Sequence, residues 1–325
     1  MADTFFRTIT LDNARHFDGA FPLALAPLEE KQSHQSFITQ LTAHKPELLA
    51  LLDTHGAVLL RDFPVASDLE FDAVVQAMGL DSFTYAESLS NAVRYNRTER
   101  VFTANEAPPH VEIFLHHEMA QTPVFPSRLF FYCEQAAESG GATPLCRSDV
   151  LLQKLEAELP QFIDRCRKLG ARYTNVMPAA ADAASGQGRS WQDTLGAGNK
   201  EAAERKLQDL GYGWEWLADD SLRVTTAALP VVRKSRDGRD VFFNQLIAAF
   251  CGWQDSRNEA RKSISFGDGS EIPTAAMERA VELSEEIGFD TPWQTGDVVL
   301  VDNFLVMHGR RPFTGTRKVL AALAK

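Results

Sequence analysis

The chain has 325 residues, 44% of them hydrophobic and 10% aromatic, so it can bury a large core and is not an intrinsically disordered chain. Lysine and arginine number 33 against 44 aspartate and glutamate, and the net charge of −11 argues against nucleic acid or an anionic membrane surface as a partner. No run of about 18 apolar residues occurs and the four cysteines form no C-x-x-C pair, so we expect one soluble, cytoplasmic domain spanning residues 1–325.

The first third of the chain predicts helices alternating with short strands. Residues 1–50 are expected to form an N-terminal extension and a helix. The apolar run GAVLLRDFP, residues 56–64, favours a buried strand that a proline closes. SDLEFDAVVQAMG, residues 67–79, predicts a helix with Ser67 and Glu70 as a capping box and Gly79 as its end.

Strand signals dominate from residue 110 onward. RLFFYC (128–133) predicts a strand, ESGGATPL (138–145) a glycine turn into another, and residues 148–170 two helices broken at Pro160. Residues 177–199, rich in Ala, Gly and Ser, lack periodicity and are interpreted as a long loop that covers an active site. Asp237-Gly238 predicts a hairpin, residues 273–287 a helix, and the C-terminal stretch three strands joined by turns.

The segment FLHHEMAQ places two histidines and a glutamate directly after an apolar pair. In an extended segment, residues i and i+2 face the same side, so His116 and Glu118 are predicted to point together and His117 to point away. His308 follows the strongly apolar run VLVDNFLVM, where a buried imidazole is expected. These three residues are candidate metal ligands.

Two histidines and one carboxylate on one face of a metal leave open positions, as in non-haem Fe(II) oxygenases. Zinc hydrolases also use His₂Glu, although their common H-E-x-x-H helix motif is absent here. A short H-x-E motif also matches by chance, in which case FLHHEMAQ is a solvated turn. The motif alone leaves these three alternatives open.

The C-terminal stretch HGRRPFTGTRKVLA places Arg310, Arg311 and Arg317 close to His308 in sequence. A buried guanidinium needs an anion, and the carboxylate of a cosubstrate would satisfy one of them. The alternative is a solvated basic turn. That alternative is weaker for Arg317, which stands at the entry of the apolar strand VLAALA.

The HHEM segment, the GGATPL turn, the WQTGDVVLVDN run and the HGRRPF stretch with its later arginine resemble the TauD/TfdA family of Fe(II)- and 2-oxoglutarate-dependent dioxygenases. The resemblance is greatest to the clavaminate-synthase-like proteins, and VFTANE, FPSRLFFYCE and SFGDG share it. It implies a mixed α/β, β-rich fold with a double-stranded β-helix, or jelly roll, surrounded by helices. It also implies Fe(II), with 2-oxoglutarate and O₂ as cosubstrates, and assigns the iron ligands to His116, Glu118 and His308.

The same resemblance assigns the arginine that binds the far carboxylate of 2-oxoglutarate to Arg317, and the threonine that shares this carboxylate to Thr143. One position departs from the pattern. Taurine-type members carry a second arginine four residues after the first, which binds the sulfonate of their substrate, and this chain has Ala321 there. The departure argues against a sulfonate substrate.

The resemblance implies oxidation of an unactivated C–H bond in a small, amino-acid-like substrate, by hydroxylation, desaturation or ring closure. Candidate substrate contacts are Asn105, Gln121, Asn244 and Arg311, each of which could instead cap a turn or lie in solvent. Two other functions stay open: a zinc hydrolase with the same three ligands, and a non-catalytic jelly-roll binding protein. A keto-acid clamp at Arg317 and Thr143 favours the oxygenase, because a hydrolase has no use for it.

Overall fold

The computed structural model of the chain describes residues 4–29, 31–85 and 88–325. Within these ranges the chain is mixed α/β and rich in strands, with a seven-stranded sheet, two four-stranded sheets and three two-stranded ribbons. No helix in the same ranges is long and apolar enough to cross a bilayer.

The strands lie along the whole chain and several are only two residues long. In chain order they are β1 (Phe6–Ile9), β2 (Arg15–His16), β3 (Ala20–Phe21), β4 (Leu23–Pro27), β5 (Ala57–Leu60), β6 (Phe102–Thr103), β7 (Ile113–His116), β8 (Arg128–Gln135), β9 (Ser139–Gly140), β10 (Thr143–Arg147), β11 (Ala171–Met177), β12 (Gly213–Trp216), β13 (Leu222–Thr225), β14 (Arg233–Lys234), β15 (Asp240–Val241), β16 (Ile264–Phe266), β17 (Phe289–Thr291), β18 (Val298–Asp302), β19 (Val306–Arg310), β20 (Phe313–Thr314) and β21 (Lys318–Ala324).

The helices of the described residues fall into three groups, one before β6, one between β10 and β13, and one before β17. They are α1 (His34–Ala43), α2 (Lys45–His55), α3 (Asp68–Ala77), α4 (Ser148–Glu158), α5 (Pro160–Leu169), α6 (Trp191–Leu195), α7 (Lys200–Asp209), α8 (Leu246–Gly252) and α9 (Thr274–Ile287), with a 3-10 turn at Ala260–Lys262.

The seven-stranded sheet has the order β1-β4-β5-β18-β8-β21-β6. Its central strands are apolar on both faces because both faces are covered. Phe130 and Leu300 pack with the side chains of α1, α2 and α3 on one face. On the other face, Phe131 and Val299 join a second apolar cluster. Successive residues of a strand point to opposite faces, so these buried strands appear in the sequence as unbroken apolar runs.

A four-stranded sheet of order β17-β10-β19-β7 faces this second surface. The pocket of functional interest lies between the two sheets. His116, Thr143 and His308 line it from the small sheet, and Phe131 and Ala321 line it from the large one. The sheets therefore position the site, and helices α1 to α3 lie on the far side of the large sheet.

Several sequence predictions are confirmed. The Ser67 hydroxyl accepts from the Glu70 amide (3.2 Å) at the start of α3, while the Glu70 carboxylate accepts from the Ala66 amide (2.7 Å). The helices predicted over residues 148–170 are α4 and α5, and Pro160 begins the second. Strands β14 and β15 form the hairpin, with Gly238 at a φ of 86°.

Two predictions need correction. The N-terminal region is more than an extension and a helix, because β4, five buried residues, pairs in parallel with β5 and brings β1 into the large sheet. The segment 177–199 is not an irregular loop throughout. Met177 ends β11, and helix α6 begins after Ser190, whose hydroxyl accepts from the Asp193 amide, and ends at the left-handed Gly196. The capping signal was present, but five residues are too few to show helical periodicity.

Candidate active site

Two imidazoles meet at the centre of the pocket because their strands pair there. His116 is the last residue of β7, and His308 lies directly opposite it on β19. Paired residues of antiparallel strands project to the same face, and the two ring centroids are 4.4 Å apart. The register between β7 and β19 therefore brings together two residues that are almost 200 positions apart.

Glu118 reaches the same point from a turn, which corrects the expectation that it shares a strand with His116. Strand β7 ends at His116, and Met119 in the turn has a φ of 59°. The Glu118 amide donates to the side-chain oxygen of Asn303 (2.8 Å), whose side-chain nitrogen donates to the Glu118 carbonyl (3.1 Å). Asn303 lies between β18 and β19, so it aligns the carboxylate with His308.

The three ligand atoms all lie within 4.8 Å of one another. The Nε2 atoms of His116 and His308 are 3.9 Å and 3.5 Å from one Glu118 carboxylate oxygen. Nδ1 of His116 contacts the Phe114 carbonyl at 2.8 Å, which requires the proton on Nδ1 and leaves the Nε2 lone pair free. A single ion with bonds of about 2.0–2.2 Å fits between these atoms.

The electrostatics of the site keep these groups in the protonation states that bind a metal. Burial, reinforced by His308, lowers the pKa of His116 to about 4, so its imidazole is neutral at pH 7. Burial alone would raise the pKa of Glu118, but the charge of Arg94 and the hydrogen bond from His308 outweigh it and hold the pKa below its usual range. A neutral imidazole and an ionised carboxylate suit a divalent ion.

Arg94 is a residue of this site that sequence reasoning missed. Its Nη2 atom donates to both carboxylate oxygens of Glu118, at 2.9 Å and 3.1 Å, and its side chain is 9% exposed. It comes from the irregular stretch between α3 and β7, where no motif marks it. Only the folded chain shows that this arginine, 24 residues before Glu118, is its partner.

Arg317 and Thr143 meet at the other end of the pocket. Arg317 donates from Nε to the Gly141 carbonyl (2.8 Å) and from Nη2 to the Thr143 hydroxyl (3.3 Å). Gly141 has a φ of 71°, and a Cβ there would lie 3.0 Å from the Arg317 side chain, so this turn needs glycine. Thr143 also accepts from the Trp293 indole (2.9 Å). The two residues of the predicted clamp, Arg317 and Thr143, are thus in direct contact.

The Arg317 guanidinium has no acidic partner among residues 4–29, 31–85 and 88–325. Burial, together with repulsion from Arg310, lowers its pKa to about 10. A buried cation without a counter-ion is costly, and an anion that enters the pocket would remove that cost.

Arg310 also lines the pocket, but both of its Nη atoms are engaged. Its two Nη atoms donate to four backbone carbonyls, those of Asn105, Ala107, Pro108 and Val111, at 2.7–3.1 Å. It thereby fixes the loop 105–111 against the pocket wall. Its guanidinium is a structural clamp for this loop.

Two of the four predicted substrate contacts line the pocket and two do not. Asn105 and Gln121 line the pocket. Arg311 does not reach it, because three surface carboxylates bind its guanidinium, those of Glu112, Glu285 and Asp290. Asn244 does not reach it either, since its side chain bonds to the backbone of Val231 and Leu246.

Gln245, the neighbour of Asn244, lines the pocket instead, and its side chain donates to the His117 carbonyl (3.1 Å). His117 faces away from the ligand cluster and contacts the Asn303 carbonyl through Nδ1. The sequence prediction that this segment lies at the pocket is correct, but the residue that lines the pocket is Gln245 and not its neighbour Asn244. Residue alternation in an irregular loop gives no guide to register.

Part of the segment 177–199 lines the pocket. Gly186 and Gln187 line it, and two asparagines on the opposite wall hold them. Asn91 donates to the Gln187 side chain (3.1 Å) and Asn105 to the Gly186 carbonyl (3.4 Å). Two asparagine side chains therefore hold this part of the segment, one through a side chain and one through a backbone carbonyl.

The chain belongs to the TauD/TfdA family, because residues 25–323 match the family described as taurine catabolism dioxygenase TauD, TfdA family. It is thus a non-haem dioxygenase of the class that uses Fe(II), 2-oxoglutarate and O₂. A clavaminate synthase-like protein of Arabidopsis thaliana is 38% identical to it over 333 residues, which cover 100% of both chains. The dapdiamide synthesis protein DdaC of Enterobacter agglomerans is 29% identical over 323 residues, 91% of this chain and 93% of DdaC.

Solved structures share the fold at low sequence identity. PvcB from Pseudomonas aeruginosa superposes with a TM-score of 0.54 at 15% identity, over 100% of this chain and 92% of PvcB. A taurine dioxygenase from Burkholderia xenovorans gives a TM-score of 0.54 at 14% identity, over 99% of this chain and 90% of its own. These two similarities concern the fold alone.

We expect acid to destabilise the metal-free protein through its buried histidines. Burial lowers the pKa of His117 to about 3, against about 6.5 in an unfolded chain. Below pH 6.5 the unfolded state therefore binds a proton that the native state does not, so stability falls as pH falls, by up to about 1.4 kcal/mol per pH unit for each such histidine. Urea unfolding with a chelator at pH 7, 6 and 5 should show this slope.

In the variant His117→Gln, the free energy of unfolding should fall less steeply as the pH is lowered, whatever its value at pH 7. His110→Gln, at an exposed position, is the matched control and should keep the wild-type slope. Equal slopes in wild type and His117→Gln would contradict the buried, neutral state of His117.

Proposed function

We propose that His116, Glu118 and His308 hold the Fe(II) of this enzyme and that it oxidises an unactivated C–H bond of a small, amino-acid-like substrate. The observation that carries the proposal is the convergence of three metal-binding atoms within 4.8 Å in a pocket that is also lined by a partly buried arginine, Arg317, with no acidic partner among the described residues. When bound, the metal activates O₂ and 2-oxoglutarate for oxidation of the substrate.

Arg317 and Thr143 are proposed to bind the far carboxylate of 2-oxoglutarate. Arg317 has Nη1 free of hydrogen bonds to the described residues, and the Thr143 hydroxyl accepts from both Arg317 and Trp293. A hydroxyl that accepts twice has its own proton left to donate. Both groups therefore offer a donor to one carboxylate, which is the geometry of a charge-assisted clamp.

The substrate class is supported by the charge of the site. Fe(II) would bring two positive charges. The Glu118 carboxylate and one carboxylate of 2-oxoglutarate would offset them. The second carboxylate of 2-oxoglutarate would be offset by Arg317. Arg94 and Arg310 then leave an excess of positive charge in the pocket. A carboxylate on the substrate would neutralise it, as an amino acid provides. Ala321 lines the pocket without charge, so the sulfonate partner of taurine-type members is missing.

The chain's own residues would then position the substrate and exclude water. Gly186 and Gln187, held by Asn91 and Asn105, are proposed to act as a lid over the pocket. We infer that the two facing sheets form a double-stranded β-helix and that residues 1–325 act as one cytoplasmic domain. Hydroxylation, desaturation and ring closure are all compatible with this pocket. No comparison supports the zinc hydrolase or the non-catalytic binding protein.

Formation of the Fe(II)·2-oxoglutarate complex tests the proposal. Anaerobic addition of both to the purified protein should produce the weak visible charge-transfer band of a chelated keto acid. His116→Ala removes a metal-binding nitrogen and should abolish the band. His110→Ala, an exposed histidine near the same loop, should retain it. Absence of the band in wild type, or its full retention in His116→Ala, would show that the metal lies elsewhere.

Arg317→Ala should raise the KM for 2-oxoglutarate. A charge-assisted contact is worth about 1.5–3 kcal/mol, which corresponds to roughly 10- to 150-fold in affinity. Arg317→Lys should restore only part of the loss, since lysine cannot match the planar guanidinium. The measurement is succinate formation against 2-oxoglutarate concentration.

Arg311→Ala is the matched control for this series, because Arg311 does not line the pocket and its guanidinium is already bound by the carboxylates of Glu112, Glu285 and Asp290. Its KM should equal that of the wild type. A normal KM in both Arg317 variants together with a raised KM in Arg311→Ala would move the clamp to Arg311.

A further inference from the structure

A small second cavity adjoins the active-site pocket. We call it the side chamber. It encloses about 20 Å³, room for about one water molecule. Asn91 and Gln121 line both the chamber and the main pocket, so the two spaces meet at these side chains. Its other walls come from β11, β13, the end of α7 and helix α6 of the proposed lid.

The walls of the side chamber carry buried polar atoms with no hydrogen-bond partner among the described residues. These atoms are Asn91 Oδ1, Gln121 Oε1, Asn175 Nδ2, Thr194 Oγ1 and Tyr212 OH. All five residues are 8% exposed or less. Buried polar groups are almost always paired in folded proteins, so five unpaired ones around one small cavity call for a partner that enters it.

The chemistry of these atoms defines what that partner is. The asparagine and glutamine oxygens accept hydrogen bonds, the Asn175 amide donates, and the two hydroxyls can do either. Among residues 4–29, 31–85 and 88–325, no lysine, arginine, aspartate, glutamate or histidine lines the chamber. A charged group would therefore be buried without a counter-ion, which is unfavourable, whereas an uncharged group that donates and accepts would satisfy both kinds of atom.

We propose that the side chamber is a binding subsite for an uncharged hydrogen-bonding atom of the substrate, about the size of a water molecule, such as a hydroxyl or the terminal nitrogen or oxygen of a carboxamide. The inference deepens the proposed function and rests on it. The substrate would lie with its carboxylate toward Arg94 and its uncharged polar end between Asn91 and Gln121. Because Thr194 belongs to α6, closure of the lid segment would complete the chamber around that end.

Stability measurements give the first test. Tyr212→Phe and Thr194→Val each remove one unpaired polar atom and keep the side chain's shape, so the free protein should unfold at the wild-type Tm or about 2 °C higher. Tyr173→Phe is the matched control. Its buried hydroxyl accepts from the Gln245 amide (3.1 Å), and its loss should lower the Tm. If Tyr212→Phe and Thr194→Val lower the Tm as much as Tyr173→Phe does, ordered water already satisfies these atoms and the proposal is wrong.

Binding of a small probe gives the second test. Acetamide carries the proposed group, and acetate has the same shape with a charge. Acetamide should raise the Tm of the Fe(II)·2-oxoglutarate enzyme under anaerobic conditions in a saturable way, and the double variant Thr194→Val/Tyr212→Phe should lose this rise. Any rise caused by acetate reflects the arginines of the main pocket and should persist in the double variant.

The proposal would be overturned if acetamide did not raise the Tm of the wild type, or if it raised the Tm of the double variant equally. The variants should keep the charge-transfer band of the metal complex, because neither residue contacts the ligand cluster. A missing band in wild type would count against the proposed function, while the amide result on the metal-free protein would still decide the side chamber.

Discussion

The pairing of β7 with β19 at His116 and His308 is the constraint on which the rest of the site depends. It places two imidazoles side by side in the pocket, and Asn303 ties the turn that carries Glu118 to the start of β19. A slip of one residue in this register would turn His308 to the opposite face of its strand. The metal site is therefore a property of strand pairing more than of the local HHE sequence.

Three arginines around the pocket, one buried and two partly buried, differ in their partners, and the partners define their roles. Arg310 donates to four backbone carbonyls and fixes a loop. Arg94 bonds to the Glu118 carboxylate, which keeps that ligand ionised. Arg317 has only a carbonyl and a hydroxyl as partners and so retains attraction for an anion. Because burying a guanidinium is costly, an incompletely paired one indicates ligand binding more strongly than a fully paired one does.

The sequence was sufficient to predict the elements that depend on interactions between neighbouring residues. Examples are the Ser67 cap of α3, the break at Pro160 and the Gly238 hairpin. The three candidate metal ligands, which the structure brings together, could be selected from their residue types and from the apolar strand before His308. Arg94, the one-residue difference between Asn244 and Gln245, and the turn that carries Glu118 depend on contacts between distant segments. Such contacts leave no periodic pattern, so sequence alone could not place them.

An anaerobic crystal structure with Mn(II) in place of iron and N-oxalylglycine in place of 2-oxoglutarate tests the central claim most directly. The account expects one metal ion bonded to His116 Nε2, His308 Nε2 and a Glu118 oxygen, with the far carboxylate of the inhibitor on Arg317 and Thr143. A metal ion bound by other residues, or the inhibitor's carboxylate on Arg311 or Arg94 with Arg317 left unpaired, would contradict it.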